Sequence, residues 1–277
     1  MSEFKGKVAV ITGASSGIGF GMAKRCADKG MHVVLVGLNS DSLTEAEIQL
    51  KNTTGEILSI KTDVANRDEM EQMAAQVEKH FGRVDLLFNN AGVGAGTTIW
   101  ESTWNDWEWV ISVNLMGVIH GIKLFTPLML KQHGESYIVN NASIAGLLSF
   151  YPNAPYQMSK HGVVALTEHL HHSLRQQNAN VHASVLCTGW ISDTKMLFSE
   201  RNRPAHLKNE AETAEIINAR RNRLEKLLQD ANKLSPEQVA EAIFAGIQRK
   251  ELYIVTHPEY KSAIRQRMDD IVASSAS

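Results

Sequence analysis

The chain holds only two cysteines, Cys26 and Cys187, in 277 residues, and they form no CxxC pair. That excludes a disulfide scaffold and a cysteine-based zinc site, and it points to a reduced, cytoplasmic setting. Positive charge is not in excess: 28 Lys and Arg face 30 Asp and Glu, for a net charge of −2. A nucleic-acid binder needs a basic surface to displace counterions from phosphates, so that class is excluded. No stretch approaches about eighteen uninterrupted apolar residues, which argues against a membrane span. The opening MSEFKGKVAVITG lacks the charged start and long apolar core of a secretory signal. Prolines number six, and no run rich in Pro, Gly or Ser marks a linker. At 43% hydrophobic and 21% charged residues, a chain of this length buries enough apolar surface to fold without staples. The expectation is a soluble cytoplasmic protein acting on a small molecule, with neither nucleic acid nor membrane as a partner.

What the chain does have is a regular alternation of short β-branched runs and longer helical patterns. Strand patterns cover residues 8–12, 32–37, 57–61, 84–89, 138–143, 181–187 and 252–256. Each is a nearly continuous apolar run, as a parallel strand buried on both faces requires. Helical patterns cover 17–29, 41–53, 67–80, 106–131, 157–176 and 236–250. Gly30, Gly55, Gly82 and Gly134 follow helices where left-handed caps belong. Ser40 and Ser235 stand at N-cap positions, with Pro236 just inside its helix. Such alternation predicts an α/β fold: a doubly wound, mostly parallel seven-stranded sheet of Rossmann type, in one domain over residues 1–277. Residues 190–234 break the rhythm with charged, helix-prone sequence beyond a strand's carboxyl end, which reads as a substrate lid or as a surface insertion.

Directly after the first strand comes Thr12-Gly13-Ala14-Ser15-Ser16-Gly17-Ile18-Gly19, opening into a helix. Glycines there permit a tight turn and let backbone N–H groups approach a pyrophosphate. The helix N-terminus adds unpaired donors and the positive end of its dipole. Further along stand Asp63-Val64 after the third strand and Asn89-Asn90-Ala91-Gly92 at the end of the fourth. Asn114, Ser143, Tyr156 and Lys160 follow in that order, and the last two, four residues apart, share a helix face. An ammonium beside a phenol favours its phenolate, so the pair can move a proton to or from a substrate oxygen. A serine hydroxyl can hydrogen-bond the same oxygen. Singly, each has a plainer reading: YxxxK is common on helices, Ser143 suits a strand-end cap, and Asn114 suits a buried polar group with a backbone partner.

Together the GxxxGxG loop and these motifs resemble the short-chain dehydrogenase/reductase family, in its single-domain branch, over residues 5–256. The resemblance implies an oxidoreductase that transfers a hydride between a nicotinamide cofactor, NADP(H) or NAD(H), and a carbonyl or secondary alcohol. It implies Asn114, Ser143, Tyr156 and Lys160 as catalytic residues, Lys160 also holding the nicotinamide ribose and Asn114 a relay water. For the cofactor it implies Gly13, Ser15, Ser16, Gly17, Ile18 and Gly19, the pair Asp63 and Val64, and Asn90, Ala91 and Gly92. Tyr156, Lys160, Gly189, Ile191 and Thr194 complete that set. It also implies a homo-dimer or homo-tetramer. One competing function is a 3-oxoacyl-carrier-protein reductase. Arg201, Arg203, Lys208, Arg220, Arg221 and Arg223 offer an acidic carrier a basic approach, diluted by Glu200, Glu210, Glu212 and Glu215. Another is an inactive cofactor-binding regulatory protein, although such a chain is expected to lose Tyr156, Lys160 or Ser143.

Thr188 stands where the family has proline, and Thr194 lies one residue later than usual. Gly37 occupies the tip of the second strand, where a carboxylate ordinarily holds the ribose of NAD(H). Without that carboxylate, and with Asn39, Ser40 and Ser16 able to donate hydrogen bonds, NADP(H) is favoured over NAD(H). Leu38 in place of an arginine keeps the preference small, and Asp41 reads as a first-turn acid. Segments 93–98, 144–155 and 190–203 contribute Leu147, Leu148, Phe150, Tyr151, Trp190, Met196, Leu197 and Phe198, with few charges, which predicts a bulky apolar substrate. No metal is expected, since His161, His169, His171 and His172 share a helix without completing a tetrahedral set. Trp100, Trp104, Trp107 and Trp109 read mostly as packing for the helix carrying Asn114, and Cys187 as a small buried hydrophobe.

Overall fold

The structure, a computed structural model, describes residues 4–149, 153–209, 213–227 and 229–274. Along the chain come β1 (Val8–Thr12), α1 (Gly17–Asp28), β2 (His32–Gly37), α2 (Ser40–Gln49), β3 (Ile57–Lys61) and α3 (Arg67–Phe81). Next are β4 (Leu86–Asn89), α4 (Trp104–Ile111), α5 (Gly117–Lys131), β5 (Ser136–Asn141), α6 (Ala154–Gln176) and β6 (Val181–Cys187). The last are β7 (Trp190–Ile191), α7 (Ala214–Leu227), β8 (Lys233–Leu234), α8 (Pro236–Gln248), β9 (Tyr253–Val255) and α9 (Lys261–Ala273). Seven strands pair in parallel in the order β3-β2-β1-β4-β5-β6-β9. The order reverses between β1 and β4, so the carboxyl ends of these strands open the crevice where such sheets bind ligands.

Alternate residues of each strand feed opposite layers. Ala9 and Ile11 of β1 pack with Met22, Cys26, Ile243 and Ile247 on one face, while Val8 and Val10 pack with Met70, Met73, Phe125 and Met129 on the other. The strands β1, β2, β4, β5 and β6 are buried on both faces, which is why they read as nearly unbroken apolar runs, while the edge strands β3 and β9 are partly exposed.

The structure corrects several local expectations. The helix expected over 106–131 is interrupted by a π-helical turn, Ser112–Met116, between α4 and α5. The run 104–131 has an 18-residue window apolar enough to cross a membrane, with a mean hydropathy of 1.4. Its apolar residues Trp109, Val110, Val118, Phe125 and Met129 are buried in the fold. Asn39, rather than Ser40, caps α2, its side chain accepting the Ser42 N–H at 2.8 Å. Gly30, Gly82 and Gly134 have positive φ but Gly55 does not; it lies against the Met31 carbonyl, where a β-carbon would stand 1.8 Å away. Among the tryptophans, Trp109 is buried, but Trp100 and Trp104 are exposed.

The excursion over residues 190–234 starts and ends in the parallel ladder β7–β8, in which Trp190 pairs with Lys233 and Ile191 with Leu234. Its first half is anchored by Arg203, whose side chain is 1% exposed. Arg203 Nη2 donates to Asp106 Oδ1 at 2.8 Å, its Nε donates to the Leu207 carbonyl at 2.6 Å, and the guanidinium lies 5.0 Å from the Trp109 ring centre. Asp106 also accepts the Thr103 N–H at 3.0 Å in a capping box that starts α4. Burial pushes the Asp106 carboxyl up, but hydrogen bonds from Arg203, the Thr103 backbone and Asn209 outweigh it and hold the group below its ordinary value.

Arg203→Met is expected to destabilise the protein by about 3–5 kcal/mol at neutral pH, because it strips a buried carboxylate of its cation. Since the folded carboxyl is lowered, this stabilisation is present above the ordinary carboxylate range and is lost as pH falls below it. Urea unfolding of both proteins at neutral and acidic pH should show the gap narrowing on acidification.

Candidate active site

The glycine loop joins β1 to α1 with Gly13 at φ 64° and Gly17 at φ 53°, both left-handed. At Gly19 a β-carbon would stand 2.2 Å from the Gly13 carbonyl, so only glycine closes this turn. The N-cap of α1, Ser16, makes no side-chain cap bond, and the first turn holds no acid. The donors of that turn therefore have no local anionic competitor, which fits a bound pyrophosphate. Thr194 reaches over from the segment after β7, its Cγ2 3.2 Å from where a β-carbon of Gly17 would be, so it borders the loop despite its shifted position.

A polar network ties the strand ends together. The Thr12 hydroxyl accepts the Asn90 N–H at 2.8 Å and the Ala91 N–H at 3.0 Å. The Asn90 amide donates to the Thr12 carbonyl at 2.9 Å and accepts from Asn141 Nδ2 at 2.9 Å. The Asn141 carbonyl in turn accepts from Lys160 Nζ at 2.8 Å. Lys160 is 2% exposed, with its Nζ 5.5 Å from the centre of the Tyr156 ring. Burial lowers its pKa to about 8, the Cys187 thiol opposing slightly.

Tyr156 is half-buried as a residue. Burial of its phenol raises the group above its ordinary value, and the Ser143 side chain offsets part of the rise. At the phenol burial dominates, and the Lys160 ammonium hydrogen-bonds the Asn141 carbonyl. Ser143 Oγ accepts the Ala145 N–H at 3.1 Å and donates to the Thr188 carbonyl at 3.4 Å. Asn114 sits within the π turn, fully buried. Its Oδ1 accepts the Val93 N–H at 2.8 Å, while its Nδ2 donates to the Val93 carbonyl at 2.9 Å and to Ser159 Oγ at 3.1 Å. Gly92 faces both groups, 3.4 Å from Asn114 Oδ1 and 3.6 Å from Lys160 Nζ measured from its β-carbon position.

The four predicted catalytic positions, the glycine loop, residues 90–92 and Thr194 thus meet at the crevice. Others lie in different settings. Val64 is buried against Gly117, its carbonyl accepting from His120, while Asp63 accepts the Ala65 N–H. Ile191 packs on the core beside α1 and α8. The Asn39 carbonyl oxygen is engaged in capping, which leaves its amide N–H groups as donors. Of the apolar pocket candidates, Leu148 is buried in the cluster beneath α6, whereas Trp190, Met196 and Phe198 are exposed at their places in 190–203. Phe150, Tyr151, Glu210, Glu212 and the side chains of Arg220 and Arg223 lie outside the described residues. The three segments do converge: Gly94 N–H donates to Ser199 Oγ at 3.1 Å, and the Thr97 carbonyl accepts the Asn153 N–H at 3.0 Å. On α6, His171 hydrogen-bonds the Ala183 carbonyl and His161 the Gln157 carbonyl. Asn141, Ser159 and His257, which build or brace this site, were not singled out from sequence, and Thr12 was read only as the start of the glycine loop; for Thr12, Asn141 and His257 the signal was a polar residue at the end of an apolar run, and for Ser159, inside α6, there was none.

A family model described as short chain dehydrogenase matches residues 7–205. A CLA biosynthesis dehydrogenase/reductase of Lactiplantibacillus plantarum is 31% identical over all of this chain and 96% of its own length. A C alpha-dehydrogenase of Sphingobium sp. is 30% identical, over all of this chain and 88% of its own. A short chain dehydrogenase/reductase from Burkholderia phymatum, solved in complex with NAD, superimposes with a TM-score of 0.93 at 42% identity, over 99% of this chain and 97% of that one.

Thr12→Val keeps the shape but removes the acceptor of two backbone N–H groups. It should lower stability by about 1–3 kcal/mol and weaken NADH binding with it, as measured by thermal unfolding with and without the cofactor.

Proposed function

Since the chain belongs to the short-chain dehydrogenase family, we propose that it is a nicotinamide-dependent oxidoreductase interconverting a ketone and a secondary alcohol on an apolar, bulky substrate, with Asn114, Ser143, Tyr156 and Lys160 as its catalytic residues. The observation that carries this reading is the buried Lys160, pinned to the Asn141 carbonyl with its Nζ 5.5 Å from the centre of the Tyr156 ring. When bound, the nicotinamide supplies or accepts the hydride. Tyr156 gives its proton to the substrate oxygen in reduction and takes it back in oxidation. Ser143 holds that oxygen by a hydrogen bond. Lys160 keeps a positive charge beside the ring, which favours the phenolate, and binds the nicotinamide ribose. Asn114, its side chain committed to Val93 and Ser159, fixes the backbone of the π turn that holds the relay water. The loop from Gly13 to Gly19, with Asp63, Val64, Asn90, Ala91, Gly92, Gly189, Ile191 and Thr194, holds the cofactor.

Residues 190–234 act as the lid. Apolar Met196 stands near Gly94 at the crevice, its Sδ 3.8 Å from the β-carbon position of that glycine, and supports an apolar substrate. An acidic carrier protein fits less well, because Arg203 is buried in its ion pair and Arg221 lies over the Phe198 ring at 4.8 Å. The intact Ser143, Tyr156 and Lys160 speak against an inactive scaffold. For the cofactor, the missing carboxylate at Gly37 favours NADP(H). The similar Burkholderia phymatum protein was solved with NAD, and no arginine follows Gly37, so the preference is set at about tenfold, or about 1.4 kcal/mol.

Tyr156→Phe should cut turnover of bulky apolar ketones by about 10²- to 10⁴-fold and leave cofactor affinity nearly unchanged, as followed by nicotinamide absorbance and binding titration. Near-normal turnover in this variant would remove the assignment.

Because the phenol is raised, ketone reduction should run at neutral pH, and alcohol oxidation, which needs phenolate, should climb with alkalinity. Initial rates in both directions test this, and an oxidation rate that is flat between about pH 6 and about pH 10 counts against it.

Gly37→Asp places a carboxylate beside the ribose. Its β-carbon meets only the flexible end of Leu43 at 3.3 Å, so the chain should tolerate it. Parallel NADH and NADPH titrations should show the unmodified protein binding NADPH more tightly and the variant preferring NADH. Tighter NADH binding by the unmodified protein refutes the preference.

A further inference from the structure

Beyond the stretch matched by the family model stands His257, just after β9 and 1% exposed. Its Nδ1 accepts the Gly189 N–H at 3.0 Å and lies 2.8 Å from the Thr256 hydroxyl, while its Nε2 lies 3.2 Å from the Trp190 carbonyl. One ring thus grips two successive residues, Gly189 and Trp190, of the segment that leaves β6. Contact is close enough that a β-carbon on Gly189 would stand 2.8 Å from the imidazole Cγ and 3.0 Å from the Tyr260 ring. The residue before, Thr188, presents its carbonyl to the Ile144 N–H at 2.8 Å and to Ser143 Oγ at 3.4 Å. The segment is therefore held from two sides, by the serine turn and by His257. Thr188 stands where a proline would have restricted the backbone on its own.

We propose that His257, in its neutral form, is a positioning residue that sets the 188–194 segment against the cofactor crevice and Ser143, in place of the absent proline. This rests on the functional reading above only for what the segment faces; the grip itself is a property of the free protein. The hydrogen bonds define the tautomer, since an acceptor at Nδ1 requires the proton on Nε2, which then donates to Trp190.

The test is amide hydrogen exchange at Gly189 in the cofactor-free protein, together with NADH and NADPH titrations of wild type and two variants. Wild type should protect the Gly189 amide. His257→Phe, which keeps a ring but removes the acceptor, should lose that protection and bind cofactor about tenfold more weakly. His257→Asn, which keeps an acceptor, should restore both. An unprotected Gly189 amide in wild type, a His257→Phe protein that keeps protection and affinity, or a His257→Asn protein no better than His257→Phe overturns the proposal. Protection that follows the expected pattern with no nicotinamide binding by any of the three proteins overturns instead the functional reading and the cofactor half of this one.

Discussion

Lys160 can stand almost fully buried because three strands hand it a carbonyl. The chain of hydrogen bonds from Thr12 through Asn90 and Asn141 to the ammonium crosses from β1 to β4 to β5 and ends on α6. Each member hydrogen-bonds the next in a medium of low dielectric, where a missing partner is expensive. The same Thr12 hydroxyl that starts the chain adjoins the glycine turn. The glycine turn and the Tyr156–Lys160 pair are therefore fixed to one frame of strand ends.

The π turn plays a matching role on the helical side. Inserting it between α4 and α5 widens the helix at Asn114, whose amide then reaches the Val93 backbone and Ser159 on α6. Before it, α4 carries Asp106 in its first turn and Trp109 in its second, the two residues that receive Arg203. A single helical run thus connects the anchor of the 190–234 excursion to Asn114, which faces Gly92.

Sheet and layers were legible because both faces of the inner strands are buried, so periodicity alone marked seven runs, and the glycine spacing marked the crevice. The order and spacing of Asn114, Ser143, Tyr156 and Lys160 were legible as a resemblance. The bracing residues were not. A threonine ending β1, an asparagine ending β5 and a histidine after β9 are single polar residues at strand ends, and their partners are 78, 51, 19 and 68 positions away. No local pattern encodes such separations. The π turn was missed because its residues, Ser-Val-Asn-Leu-Met, keep the hydrophobic rhythm of an ordinary helix. The phenol's raised state was missed because burial of its hydroxyl is a property of the folded site, invisible in residue spacing.

The β7–β8 ladder, a two-stranded sheet apart from the seven-stranded one, joins the two ends of the 190–234 excursion. Chain length between paired ends carries only a slow logarithmic entropy cost. The excursion is thereby a cassette: what lies between its ends can be lengthened, shortened or exchanged without re-registering β6 or α8. A fold wired this way lets the choice of substrate drift from one descendant to the next while the machinery for the cofactor is inherited intact.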